Sequence, residues 1–270
     1  MKILPLGLSL AALLAMSGTA FAQSADLSEP LSPKDVHWSF EGPLGMYDRA
    51  QLQRGFQVYK EVCSACHSLT RVSFHDLSYD NGGSGMFSDA QVKAIAASYK
   101  LPAEPNDKGE TVDASGQPLM RPGIPADHFP PPFANEEAAR ASNGGALPPD
   151  QSLIVKARDG GAQYIYSVVT GDGAHAPAGF KVMDNKYYDP YFAGRNISMP
   201  PPLNDDSVTY SDGTKATKDQ EARDVVAFLS WAGEPKLEER HQLGFGVMAF
   251  MILLSGMLYL SYRKLWKDQH

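Results

Sequence analysis

The only two cysteines of this 270-residue chain lie in EVCSACHSL, residues 61–69, three positions apart and followed directly by an imidazole. Four chemistries use two thiols at that spacing. A structural zinc site needs four ligands, usually a second cysteine pair or two spaced histidines, and here only His75 lies near His67. A thioredoxin-like redox couple follows a strand in a βαβ unit, whereas this pair follows a helical pattern. A disulfide across so small a loop gains little stability. The fourth chemistry is covalent haem attachment, which Cys-x-x-Cys-His denotes. Each thiol adds across one vinyl group, Ser64 and Ala65 set the spacing between the sulfurs, and His67 is carried under the ring to bind iron. This also accounts for the cysteine count, because spare thiols in an oxidising compartment mispair. The chain therefore reads as carrying one haem c on Cys63 and Cys66, with His67 as one axial ligand.

The other axial position decides what such a haem does. An open position permits ligand binding or peroxidase chemistry, whereas a closed His/Met pair favours electron transfer at a raised potential. Outside the two apolar ends of the chain, the methionines are Met46, Met86, Met120, Met183 and Met199. Met199 stands in GRNISMPPPLNDD, where three following prolines restrict the backbone. A soft thioether on so stiff a loop suits low-spin iron. Met120 in PLMRPG is the second candidate, and a methionine that merely fills a core gap is the alternative to both. His37, His75, His128 and His175 are the histidine alternatives; His241 is too near the C-terminal apolar segment.

Two stretches have the period of helices that would position these groups. Residues 47–62 place Leu52, Phe56, Tyr59 and Val62 on one face, and residues 218–233 do the same with Val225, Phe228, Leu229 and Ala232. The second stops at Gly233, before Pro235. Shorter helices are expected in ANEEAARAS and in DQSLIVKARDGGAQYIYSVVTG. Between Pro118 and Pro149 fall eight prolines, so this region reads as extended chain wrapped around something.

The ends carry targeting information. Residues 1–22 have one early Lys, an apolar run too short to span a bilayer, and an Ala20-Phe21-Ala22 terminus, the pattern of a cleaved signal peptide. Residues 23–233 form the haem domain, 234–242 a linker, 243–262 a transmembrane helix and 263–270 a tail. The 20 uncharged residues of the span cover about 30 Å, one hydrocarbon core. Arg263, Lys264 and Lys267 mark the tail as cytoplasmic. Both ends agree on a single-pass protein of the bacterial inner membrane with its haem domain on the periplasmic side. Loss of Lys2 with the leader takes the formal charge from −7 to −8, which argues against nucleic acid as a partner.

Beyond Cys-x-x-Cys-His, an ordered set of longer stretches resembles the cytochrome c1 family, the haem subunits of quinol–cytochrome c oxidoreductases (cytochrome bc1 complexes). It comprises RGFQVYKEVCSACHSL, MRPGIPADHFPPPFANEEAARASNGGALPPDQS, ARDGGAQYIYSVVTG, YYDPYFAGRNISMPPPL and DGTKATKDQEARDVVAFLSWAGEPKLEER, followed by the C-terminal anchor. The resemblance implies a mainly α, class I cytochrome c-like domain with long loop insertions plus one C-terminal transmembrane helix. It matches Met199 to the family's methionine ligand, and Arg158, Tyr164 and Asn143 to positions contacting a haem propionate. It also implies an electron carrier rather than an enzyme in its own right. The electron would come from the Rieske iron–sulfur protein and pass to a soluble cytochrome c, with cytochrome b beside the anchor, where Met248 and Gly256 could pack.

Acidic pairs Glu136-Glu137, Asp205-Asp206 and Glu238-Glu239 are candidates for steering a basic carrier. The chain departs from some bacterial relatives in having no cysteine left for a disulfide before the methionine ligand. The prolines and the aromatics of NKYYDPYF are the candidates for bracing that loop instead. The rival functions are a membrane-anchored cytochrome subunit of a terminal oxidase and a haem peroxidase or ligand-binding cytochrome. The second Cys-x-x-Cys-His common in dihaem peroxidases is absent.

Overall fold

A computed structural model describes residues 29–80, 83–171 and 174–267; the expected signal peptide, residues 1–22, lies outside them. The described chain is mainly helical. Its helices are α1 (Arg49–Glu61), α2 (Asp89–Ala97), α3 (Glu136–Ser142), α4 (Gly161–Gly171), α5 (Lys218–Gly233) and α6 (Leu237–Trp266). Two short antiparallel pairs complete it: β1 (Lys100–Pro102) with β2 (Met120–Pro122), and β3 (Tyr187–Tyr188) with β4 (Asn196–Ile197).

The two helices that the sequence pattern predicts are the two that cross at the centre. Asp48 opens α1 by accepting the amides of Ala50 (2.9 Å) and Gln51, and Thr217 opens α5 by accepting that of Gln220 at 3.2 Å. A Cβ on Gly55 of α1 would lie 2.0 Å from the Asp224 carbonyl oxygen of α5, so the two backbones touch. Only glycine allows that approach. Leu52, Phe56 and Tyr59 are buried as expected, with Val58 and Gly55. Helix α5 is enclosed almost all round, because Glu221 and Asp224 are buried along with its apolar residues.

Asp224 is 0 % exposed and is paired with Arg54, whose Nε donates to Oδ2 at 2.9 Å while Nη1 donates to Asp212 at 2.9 Å. Gln220 Nε2 donates to the other Asp224 oxygen at 2.9 Å, which adds a hydrogen bond to the buried, ion-paired carboxylate. Around the crossing, Phe56, Tyr59, Phe74, Phe129 and Phe228 form a continuous aromatic cluster; Phe74 and Phe129 have ring centroids 4.5 Å apart.

Helix α2 was not among the sequence expectations. Ser88 and Gln91 form a capping box at its start, and Val92 and Ala96 face the core. Outside α3, the proline-rich region is extended and laid against the chain that follows His67. Phe74 N–H donates to Asp127 O (2.9 Å), His75 N–H to Pro125 O (2.7 Å) and Gln151 N–H to Ser68 O (2.8 Å).

Helix α6 runs for 30 residues, about 45 Å. It is long and apolar enough to cross a membrane, and its most apolar 18-residue window is 0 % buried. It begins six residues earlier than the 243–262 span, so only residues 234–236 separate it from α5. The reason is packing: Leu237 is 7 % exposed within the core, and Glu238 accepts the Tyr47 amide at 2.9 Å. Glu234 holds the same joint by pairing with Lys156 and with Arg240, whose Nε lies 2.6 Å away.

Candidate haem site

The last turn of α1 delivers the cysteines. Val62 N–H still bonds to Val58 O at 2.9 Å, and the chain then tightens into a single 3₁₀ turn, Cys63–Ala65. The amides of Cys66 (3.1 Å) and His67 (2.9 Å) both return to Cys63 O. Cys63 is half-buried and Cys66 exposed, and both thiols are free. Burial, with the neighbouring Cys66, pushes the Cys63 thiol up to about 12.

His67 Nδ1 lies 2.8 Å from the Pro149 carbonyl oxygen. A carbonyl can only accept, so Nδ1 carries the proton and the Nε2 lone pair is left for a metal. Burial lowers the pKa of this imidazole, against the opposing pull of Pro149 O and Asp150, and so favours the neutral, ligating form. The histidine's own carbonyl accepts from the Tyr59 hydroxyl at 3.2 Å. Beside Pro149, one Asp150 carboxylate oxygen accepts Ser68 Oγ (2.8 Å), Thr70 N–H (2.9 Å) and Thr70 Oγ1 (2.8 Å). The other accepts Ser152 N–H at 2.9 Å. Burial alone would raise the pKa of Asp150, but these donors hold it at about 2. Sequence reasoning missed both Pro149 and Asp150. Only the Asp gives a local signal, as a turn-forming residue after two prolines.

Met199 stands just beyond β4 and is half-buried. Of the other candidates, Met86 is fully buried in the core, while Met46, Met120 and Met183 are 60 %, 50 % and 61 % exposed. His37, His75, His128 and His175 are all exposed.

The loop that carries Met199 is braced mostly by polar groups. Asp189, 0 % exposed, accepts the amides of Tyr191 (2.8 Å) and Phe192 (3.2 Å) through Oδ1. Arg195 adopts the left-handed conformation (φ +52°), unusual for a side-chain-bearing residue. Its guanidinium is buried, with Nε donating to Glu29 O at 2.6 Å and Nη1 to the Tyr188 hydroxyl at 3.5 Å. Leu31 N–H donates to Pro190 O at 2.7 Å, so residues 29–31 form a strap along the loop. Aromatics contribute as expected: Phe180 meets Tyr188 edge-on at 5.1 Å, and Tyr191 packs so close to Gly171 that a Cβ there would lie 2.6 Å from its ring.

Burial raises the Tyr164 hydroxyl pKa and the nearby Arg158 charge lowers it. Arg158 is exposed and donates to Ala157 O, at 2.9 Å. Asn143 instead caps α3, with Nδ2 donating to Ala139 O at 2.7 Å, which leaves one amide hydrogen for any further acceptor.

The Cytochrome C1 family profile matches residues 38–269. This chain belongs to the cytochrome c1 family. It is 46 % identical over 270 residues to cytochrome c1 of Rhodospirillum rubrum, covering 94 % of this chain and 93 % of that one. It is 41 % identical over 260 residues to the mitochondrial heme protein cytochrome c1 1 of Arabidopsis thaliana, covering 96 % and 80 %. Against the cytochrome b/c1 of Bradyrhizobium diazoefficiens identity is 44 % over 256 residues; that match takes in 88 % of this chain but 36 % of the longer relative. Cytochrome c1 proteins are electron carriers of the respiratory chain within the bc1 complex, and membership implies a bound haem, typically of the covalent c type. The donor set here fits such a group: two unpaired thiols and an imidazole whose only unprotonated nitrogen is free.

Proposed function

We propose that this member of the cytochrome c1 family holds one haem c on Cys63 and Cys66, with His67 and Met199 as axial ligands. It would take single electrons from the Rieske iron–sulfur protein and pass them to a soluble cytochrome c. The haem, when bound, supplies the one-electron couple. The chain's own residues do the rest. The Pro149 carbonyl fixes the His67 tautomer and ring orientation, and the Asp150 bonds hold the segment behind it. The three prolines after Met199 and the braced 189–196 loop restrict where the thioether can go. Arg158 and Tyr164 are the donors suited to a propionate, and Asn143 offers its remaining amide hydrogen.

The observation that carries this reading is the His67–Pro149 contact beside two unpaired thiols. Residues 23–233 would form the periplasmic head after removal of residues 1–22. Helix α6 would be the single-pass anchor, packed by way of Met248 and Gly256 against cytochrome b, with residues 263–270 cytoplasmic. Among the acidic pairs, both carboxylates of Glu136-Glu137 are exposed and available to a basic carrier, whereas in the exposed pair Asp205-Asp206 Asp205 accepts the Lys218 amide at 2.8 Å. Glu238 is committed to the Tyr47 amide, and Glu239 lies 3.8 Å from Lys236.

The test is the purified Met199→Leu protein. Haem retained through acid–acetone extraction, together with a large fall in midpoint potential, is the expected result. An unchanged spectrum and potential would give the axial position to another residue. Rapid carbon monoxide binding by the reduced unmodified protein would favour the ligand-binding alternative.

A further inference from the structure

Residues 42–46, Gly-Pro-Leu-Gly-Met, form an uncharged loop tip whose apolar side chains have no cover. Leu44 is 77 % exposed, more than any other large apolar side chain among the described residues, those of α6 included; Met46 is 60 % exposed. A lone exposed leucine is ordinary. These two share one shaped loop. Met46 N–H donates to Ser39 O at 2.9 Å and Gly45 N–H to Gly42 O at 3.2 Å, which closes the tip. A Cβ on Gly45 would lie 2.2 Å from Phe40 O, so the loop folds back on its own base. Phe40 and Tyr47 on either side are buried in the core, with ring centroids 5.1 Å apart. The carboxylate at the loop's start, Glu41, accepts from Gln163 Nε2 at 3.3 Å, and Asp48 at its end caps α1.

The foot of this loop is fixed to the anchor. Tyr47 N–H donates to Glu238 in the first turn of α6 at 2.9 Å, and the Tyr47 hydroxyl lies 3.4 Å from Glu234 O. From Glu238 to Leu243, where the uncharged stretch begins, is five residues, or about 7.5 Å along the axis. Met46 adjoins Tyr47 in the chain, so the tip leaves the head at the foot of α6, about one and a half turns before the uncharged stretch begins.

We propose that residues 42–46 are a second, non-spanning membrane contact, with Leu44 and Met46 inserted into the interfacial layer of the bilayer that holds α6. This rests on the reading of α6 as the anchor. A specific protein interface buries about 800 Å² on each partner, far more than two side chains on one tip provide. A short apolar tip beside an anchor suits the headgroup–acyl boundary.

The test uses the full chain in its native membrane, with Leu44 replaced by the photoreactive p-benzoyl-phenylalanine. The same replacement at exposed Met183 serves as the control. Both sites are at the surface, and retained covalent haem reports on folding. After irradiation, mass spectrometry is expected to find phospholipid adducts at 44 and none at 183. An adduct at 44 to a polypeptide, or no adduct there, overturns the proposal. Extraction with alkaline carbonate separates the two failures, because release of the chain would overturn the anchor reading itself.

Discussion

The segment that carries His67 and the segment that carries Met199 are built by different means. Behind His67 the backbone does the positioning: α1 ends, one 3₁₀ turn follows, and two amides converge on Cys63 O. That turn is seated on α1, which is locked against α5 through Gly55 and the buried Arg54–Asp224 pair. Ahead of Met199 there are two-residue strands and one kinked 3₁₀ turn, Ala193–Arg195, and the loop is shaped by side chains bonded to backbone groups, chiefly those of Asp189 and Arg195. A helix-built site shares its load over many repeated bonds and fails with the fold. A loop held by a few polar side chains fails locally, one bond at a time.

The largest effect that would test this contrast is Arg54→Leu. It leaves Asp224 charged, buried and without its guanidinium, at a cost of about 3–5 kcal/mol. Thermal unfolding of the haem-loaded protein should show the whole head destabilised, and a purely local change would break the comparison. Next is Gly55→Ala, where the added methyl meets the Asp224 carbonyl at a spacing that real contacts do not allow. Forcing the helices apart should cost about 1–3 kcal/mol, again read as a global loss of thermal stability.

Arg195→Gln sharpens the other half. Its expected cost to global stability is about 1 kcal/mol, while amide exchange at Leu31 and Tyr191 speeds up and α1 amides keep their protection. Equal acceleration in both regions would show that the loop is not an independent unit. The smallest effect concerns acid. Asp150 is depressed in the folded state, so it binds protons more weakly there than in the unfolded chain. Its contribution is complete above about pH 4, the ordinary carboxylate range, and is lost as pH falls through about 2. Asp150→Asn should flatten that part of the acid-unfolding curve.

The same division decided what was legible beforehand. The apolar faces of α1 and α5 obey a helical period, so their positions and the placement of Cys63, Cys66 and His67 could be read from residue types. Asp224 and Glu221 interrupt the apolar surface of α5 because their partners lie elsewhere in the chain, so its all-round burial could not be read. The capping box at Ser88 and Gln91 was a readable signal for α2, although its helix is short. Pro149 acts through a carbonyl, which every residue has, and nothing in its type marks it as the acceptor for His67. Arg195 takes a left-handed conformation usually left to glycine, and its partner Glu29 O is 166 residues away. The joint after α5 gives no periodic signal for the contacts that Leu237 and Glu238 make with the head, because the partner of Glu238 is a backbone amide 191 residues away.

The α1–α5 crossing also has a consequence in time. Arg54 and its partner Asp224 are 170 residues apart, with both cysteines following closely on the first of them. At about 5–20 residues per second of synthesis, the thiols precede the helix that closes behind them by about 10–30 s. Throughout that interval α1 has no lid, and the nascent polypeptide offers its sulfurs on an open surface.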